Sequence, residues 1–378
     1  MALSGGRMED RKLGSIFLQK MNRRPLTAPV IVFLSALFTV HTFFPAPLFS
    51  QAPFYQGKTI TIIQGRSPGG TGDLRVRALI PFLQKYIPGN PTIVAEYMSG
   101  GGGRKATNHI YNAARPDGLT IGNVGAGMVS NAILGEPGVQ YDVDKSIYLG
   151  TINSRTSYIF LTNKKLGLDT LEKLRAYSGL RIGGQSVGHD IYINGRMFAW
   201  LLDLKEPKFV TGYSGPEMDI ALMRGETDAS ARITDTLPHR NREWLEQKLV
   251  DFHAIFEIPK GFRFQHPAFD HVPALQDFAR TDAEKKVLLM STNFRLIGSP
   301  YIAPPNTPKE RVEDLKVGFN QALKDPQLWP TLKKLVGADP EPLLPDEQAK
   351  TVQETPRDPE VIKLFKRIAG GEALPPRR

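Results

Sequence analysis

The sequence predicts an α/β protein with mostly parallel sheets. Three observations carry this. Short β-rich runs alternate with amphipathic helical runs from Pro53 onward, and several of the strand-like runs end in glycine-rich turns that open a helix. The chain has 378 residues, 41% hydrophobic and 23% charged, which is enough apolar material for a large core.

Six runs read as strands, at 59–64, 92–97, 120–124, 157–162, 180–183 and 208–211, because they are short, rich in β-branched or aromatic residues and bounded by turn residues. Between them, 74–86, 104–114, 170–177, 191–202 and 217–224 carry helical periodicity. Beyond Asp235 the pattern loosens. Residues 239–282 are rich in aromatic, His and Pro residues and read as irregular, followed by an apolar run at 287–290 and a Pro-rich stretch at 301–308. A helix is predicted from Thr307, with Pro308 at its first position and an apolar stripe over 312–323. The closing PPRR is expected to fray.

The first 52 residues read as an export signal. Arg11, Lys12, Lys20, Arg23 and Arg24 precede an apolar run at 28–44, and Ser50-Gln51-Ala52 makes a small-x-small cleavage pattern before Pro53. The run is shorter than the ~20 residues of a spanning helix, so a periplasmic mature protein is expected, with an uncleaved anchor as the alternative. That segment holds six Lys/Arg against two Asp/Glu, so its removal lowers the formal charge from +10 to +6. The remaining basic residues are scattered among acidic ones, which argues against a nucleic-acid partner. The absence of cysteine excludes disulfides, thiolate zinc sites, a cysteine nucleophile and a lipidated cysteine.

Residues 67–73 (SPGGTGD) raise the functional question. Gly65 and Gly70 have the spacing of a phosphate-binding loop, but Thr71 stands where the lysine must be. The dinucleotide pattern fails as well, since Arg75 occupies the place of its third glycine. What remains is a turn whose backbone N–H groups, with the unpaired donors of the next helix, hold an anion without a charged side chain. Ser67, Gly69, Gly70 and Thr71 are the candidates. Asp73 would cap its own helix or reach a ligand hydroxyl through water. Gly101, Gly102 and Gly103 repeat the design after the next strand. The alternative for either loop is a glycine turn that only permits tight dihedrals.

A third turn, Gly184-Gln185-Ser186-Val187-Gly188, matches the G-x-S-x-G nucleophile elbow, and Asp235 followed by His253 or His271 gives the chain order of a hydrolase triad. A secreted serine hydrolase using Ser186 is therefore the alternative function, although so short a motif arises easily in a chain with 35 glycines. His266, Asp270 and His271 form a loose trio that reads as loop chemistry rather than a metal site. His189 either donates to a bound anion or faces solvent at a helix start.

Six motifs in order make the chain resemble the periplasmic receptors of tripartite tricarboxylate transporters, the TctC or Bug family, from Tyr55 to about Pro345. The P-G-G-x-x-D-x-x-x-R pattern is similar to residues 68–77, the G-x-G-G loop to Gly100–Gly103, and A-x-P-D-G-x-T to residues 114–120. The Y-x-G turn is similar to Tyr213-Ser214-Gly215, G-x-x-D to residues 225–228 and A-P-x-x-T-P to residues 303–308. The resemblance implies a two-lobed periplasmic binding protein fold of the type II-like class, with parallel-rich sheets flanked by helices and a cleft between lobes. It implies lobes at 53–156 plus 301–378 and at 157–300, closing on a small carboxylate held by backbone amides and ordered waters. A monomer without cofactor or metal, delivering its ligand to a membrane permease, goes with it. Ser186, Gly188, His189, Tyr213 and Gly215 would then line the cleft from the second lobe, with Ser186 binding rather than attacking.

The chain departs from the family at Tyr97, where an Asn is usual, at His189 in place of Ser and at Tyr192 in place of His. Arg75 and Arg104 are unusual at loop edges. Larger aromatic and basic groups point to a pocket retuned away from a simple C4 dicarboxylate.

Overall fold

The computed structural model describes residues 52–185, 187–336 and 341–377. The expected export signal therefore lies outside the described residues, save Ala52. No helix among the described residues is long and apolar enough to cross a membrane.

The first half of the chain repeats a strand–turn–helix unit. β1 (Thr59–Gln64) leads to α1 (Thr71–Tyr86), β2 (Thr92–Tyr97) to α2 (Arg104–Asn112), and β3 (Thr120–Asn123) to α3 (Gly127–Ile133). β2 and β3 flank β1 in parallel, so three strand ends and three helix starts share one edge of the sheet. β4 (Ile147–Ser154) completes this part. After three intervening residues the chain enters a second sheet with β5 (Tyr158–Asn163), α4 (Leu171–Ala176), β6 (Arg181–Gly183), α5 (Asp190–Leu201), β7 (Lys208–Val210) and α6 (Gly215–Arg224). β8 (Ala229–Ile233), α7 (Leu237–Arg240), α8 (Arg242–Glu246) and β9 (Val250–Phe256) follow. α9 (Asp282–Ile297) returns the chain to the first sheet as β10 (Tyr301–Ala303), and α10 (Lys309–Lys324), α11 (Leu328–Val336), β11 (Glu341–Leu343), α12 (Pro345–Gln353) and α13 (Pro359–Ala369) close it.

The strand orders are β11-β4-β10-β3-β1-β2 and β7-β6-β8-β5-β9. Both sheets are mixed rather than mostly parallel. β10 pairs antiparallel with β3 and β4, and β5 antiparallel with β8 and β9. The reason is connectivity: β5 and β10 are the strands by which the chain passes from one sheet to the other. They do not arrive through a right-handed βαβ crossover, which is what imposes a parallel direction.

The predicted strands and helices of the first 224 residues are all present, with ends shifted by up to three residues. Of the later elements only α10, the helix expected from Thr307, was anticipated, and α3 and β4 before them were not. β8 (ASARI) holds buried Ser230 and Arg232 rather than a β-branched run, so nothing in its composition marks a strand. α9 did carry a signal, the capping box of Thr281 and Glu284, in which Thr281 Oγ1 accepts from Glu284 N and Glu284 Oε2 accepts from Thr281 N.

Two clusters form most of the core. Ile60, Ile62, Leu79, Leu83 and Phe319 fill the space between the first sheet and α1 and α10. Phe160, Ile182, Phe198 and Leu201 fill that between the second sheet and α5. α5 is buried all round from Asn194 to Leu201, and such a helix must be covered on its outer side too. The C-terminal segment does this. Arg196, with 1% exposure, donates to the carbonyls of Ile368 (2.5 Å) and Glu372 (2.6 Å), and Trp200 Nε1 donates to Pro375 O at 3.0 Å. Arg377 pairs with buried Glu284 at 2.7 Å. The tail expected to fray is docked, because its carbonyls are the hydrogen-bonding partners of a buried arginine and tryptophan.

Candidate anion-binding cleft

The glycine turns after β1, β2 and β3 converge backbone to backbone. A Cβ on Gly103 would stand 2.9 Å from Gly125 N, and one on Gly65 would stand 3.2 Å from Gly103 Cα. Gly100 to Gly103 all have positive φ, a run that residues with a Cβ do not adopt. The second loop is therefore glycine for two reasons, its dihedrals and its neighbours. Gly70 is different: its φ of −82° is ordinary and a Cβ there meets open space. Ser67, Gly69 and Gly70 are exposed, and Thr71 opens α1.

Asp73 holds this arrangement together. Its Oδ1 accepts from Gln64 Nε2 at 2.7 Å and from the Tyr97 hydroxyl at 2.8 Å; its Oδ2 accepts from Gly69 N at 2.8 Å and Arg77 Nε at 3.0 Å. Burial alone would raise its pKa, but these donors, led by the Gly69 N–H, outweigh it and lower the pKa to about 2. Asp73 thus reaches back to the residue before the N-cap, and its four donors come from the protein. The Gly69 N–H is committed to it. The departure at Tyr97 has a structural role, since its phenol ties the end of β2 to α1.

Beside the loop lie polar groups with nothing to bind. Arg66 Nη2 donates to Asn123 Oδ1 at 2.8 Å, and its guanidinium lies over Gly72, where a Cβ would collide with it. Yet Arg66 Nε, Arg75 Nε and the Tyr301 hydroxyl are buried without a hydrogen-bonding partner among the described residues. Burial lowers the pKa of both arginines and raises that of Tyr301, while the two positive charges pull the tyrosine back down. Desolvated cations whose donors are unfilled are what an anion site requires. Sequence reasoning noted Arg75 but missed Arg66 and Tyr301. The signal for Arg66 was a lone charge at the start of a glycine turn; Tyr301 gave none.

Two cavities are lined in part by the turn after β8. One, of about 550 Å³, is lined by Arg75 from α1, by residues 153–157 of the passage between the sheets and by Thr234, Asp235, Phe262 and Phe264. The other, of about 290 Å³, is lined by Tyr158, Gln185, His189, Gly215, Arg232 and Thr236. His189 caps α5, its Nδ1 accepting from Ile191 N at 3.2 Å. The ring proton is therefore on Nε2, and burial lowers the pKa, favouring a neutral ring that donates. Arg232 is buried and its pKa falls to about 10 for that reason, with Asp219 opposing the shift from 3.2 Å. The Arg240 guanidinium lies over Gly215, within 3.1 Å of where a Cβ would be.

The structure thus brings His189 and Gly215 to one cavity and Arg75 to the other. Gly101–Gly103 stand with Ser67, Gly69 and Gly70 at the turn edge of the first sheet. Gly188 has φ 82° and is exposed, Tyr213 is half-buried before α6, and Ser186 lies outside the described residues. Tyr192 does not serve the cleft: its hydroxyl donates to Gly370 O at 2.9 Å, so that departure belongs to the docked C-terminal segment.

The triad partners are not assembled among the described residues. His253 is buried in β9 with Nε2 2.8 Å from Thr162 Oγ1, and burial lowers its pKa to about 4. His271 is exposed, and Asp235 Oδ1 has no hydrogen-bonding partner. His266 Nδ1 accepts from Ala268 N at 3.2 Å, and no group of three or more His, Asp or Glu among the described residues is placed to hold a metal ion.

No protein-family profile and no curated protein matches the chain. Solved structures do. A TctC solute-binding protein from Polaromonas covers 83% of this chain and 98% of its own at 13% identity, with a TM-score of 0.61. The periplasmic binding protein BugD covers 84% and 99% at 17% identity, with a TM-score of 0.55. The malate-bound protein MatC from Rhodopseudomonas palustris covers 82% and 99% at 20% identity, with a TM-score of 0.53. At such identities the likeness is one of fold, and it is the two-lobed α/β fold of periplasmic binding proteins.

Proposed function

We propose that this chain, whose fold is that of the TctC and Bug binding proteins, is an exported receptor that captures a small organic carboxylate and delivers it to a tripartite tricarboxylate-type membrane permease. The observation that carries the reading is the set of buried, unpartnered donors of Arg66, Arg75 and Tyr301 beside the converging glycine turns. A carboxylate there fills donors that otherwise remain desolvated and unpaired. Malate bound to MatC, and adipate bound to another R. palustris protein of this fold, support that ligand class.

In this reading Ser67, Gly70, Thr71 and Gly101–Gly103 present the first lobe's backbone to the ligand. Gly69 and Asp73 set the loop's shape. Ser186, Gly188, His189, Tyr213 and Gly215 close on it from the second lobe. Residues 53–156 and the chain from 301 to α12 form the first lobe and 157–300 the second, with α13 riding on α5. No specific observation favours the hydrolase. Thermal-shift screening of the mature protein against mono-, di- and tricarboxylates, followed by titration calorimetry, tests the proposal. If no carboxylate raises the melting temperature, the receptor reading is lost. Fractionation of the expressed full chain, with N-terminal sequencing, tests export: a mature start near Pro53 in the periplasmic fraction is expected.

A further inference from the structure

The larger cavity sets one unpaired charge of each sign against the other. Arg75 reaches it from α1 beside the first sheet, and Asp235 from the turn after β8 of the second. Arg75 Nε and Asp235 Oδ1 are buried, and neither has a hydrogen-bonding partner among the described residues, although the Asp235 carboxylate also accepts from the Thr236 backbone. The other charged groups of the wall are already matched, Arg155 with Glu341 at 3.2 Å and Arg263 with Glu257 at 2.7 Å. Arg75 and Asp235 sense each other's charge, which opposes the burial that disfavours both, but no ion pair closes between them. Arg75 stands on α1 and Asp235 in the turn after β8, and both line the same cavity of about 550 Å³. Phe262 and Phe264 give that cavity an apolar wall.

Two desolvated, opposite and unpaired charges facing one cavity are complemented by a molecule that carries both signs. A dicarboxylate would satisfy Arg75 and set its second carboxylate against Asp235, a like-charge contact in a partly desolvated site. We infer that the cleft selects a bipolar ligand, with a carboxylate on Arg75, an apolar spacer along Phe262 and Phe264, and an ammonium or other cationic donor on Asp235. The inference rests on the carboxylate-receptor reading above and narrows it to ligands such as ω-amino acids.

Matched probes that differ only by exchange of one carboxylate for an ammonium test it: succinate against β-alanine, glutarate against γ-aminobutyrate, and adipate against δ-aminovalerate. Calorimetric titration of the mature protein should show the amino acid binding at least about tenfold tighter in one or more pairs, a difference within reach of one charge-assisted contact. Asp235→Asn, which keeps the side chain's shape, should reduce that preference to about twofold or less, and Arg75→Gln should weaken both members of the pair. Dicarboxylates binding as tightly as their partners throughout would overturn the bipolar ligand and leave the carboxylate reading standing. Binding by neither series would remove this inference, and failure of the wider carboxylate screen as well would remove the receptor reading with it. A preference that survives in Asp235→Asn would show that Asp235 is not its source. If Asp235→Asn does not fold, the wild-type comparison of the two series still decides.

Discussion

The Tyr97 hydroxyl donates to Asp73 Oδ1 at 2.8 Å, joining the last residue of β2 to the first turn of α1. Arg77 closes the same knot, donating to Asp73 Oδ2 at 3.0 Å and to the Tyr97 hydroxyl at 2.6 Å. The first glycine turn is thereby held by one buried carboxylate whose charge is stabilised only in the fold.

That charge makes stability depend on pH. The folded pKa of Asp73, about 2, lies below its ordinary 3.8, so its contribution is present above about pH 4 and is lost as pH falls through 2. A shift of that size corresponds to roughly 2 kcal/mol. Asp73→Asn should therefore be less stable than wild type in urea at neutral pH, and the gap should close between about pH 4 and 2. A gap that stays constant over that range would show that the ionised carboxylate is not what holds the turn.

Gly70→Val separates folding from binding. The ordinary φ and open surroundings of Gly70 mean the fold should be untouched, contrary to what a glycine-rich turn suggests on sight. A branched side chain at the start of α1 would still crowd an anion approaching the backbone donors, weakening carboxylate binding by about tenfold or more. Unchanged affinity in a folded variant would mean the turn is not part of the site.

Tyr301→Phe should uncouple the same two properties in another way. The hydroxyl is buried with no partner among the described residues, so removing it should leave the ligand-free protein as stable as wild type or slightly more so. Carboxylate affinity should fall by severalfold, because a buried donor close to the charges of Arg66 and Arg75 is gone. Lower stability without ligand would indicate that the hydroxyl has a protein partner after all.

Deleting residues 371–378 should destabilise the protein by about 3 kcal/mol or more. Arg196 loses the Glu372 carbonyl, Trp200 loses the Pro375 carbonyl, and Glu284 loses Arg377, all in buried surroundings. Chemical denaturation measures the loss, and limited proteolysis should show α5 cleaved early. A tail that can be removed at no cost would restore the expectation of a frayed terminus.

A fluorophosphonate probe should leave the protein unlabelled. His253, one of the histidines able to serve as a base for Ser186, is buried against Thr162, and Asp235 hydrogen-bonds to neither His253 nor His271. Stoichiometric labelling that disappears in Ser186→Ala would reinstate the hydrolase.

The sequence by itself determined what is local. The periods of β1, β2, β3, α1, α2 and α5, the glycines of the second loop and the order of the turns follow from neighbouring residues, because backbone hydrogen bonding and side-chain periodicity act over a few positions. The capping box of α9 is equally legible in Thr281 and Glu284. Tertiary structure decided what depends on distant partners. Tyr301 meets Arg66 and Arg75, more than 200 residues earlier in the chain, only because β10 inserts beside β3, and Arg75 shares a cavity with Asp235 only because the two sheets are brought together there. β8 is a strand because it pairs with β5 and β6, where Ser230 donates to Gly183 O and Arg232 pairs with Asp219, not because its composition favours one. Arg196 is tolerated in the core because carbonyls of the last eleven residues reach it. In each case a charge or hydroxyl that composition would place in water is buried, and its position is set by a partner that local sequence does not name.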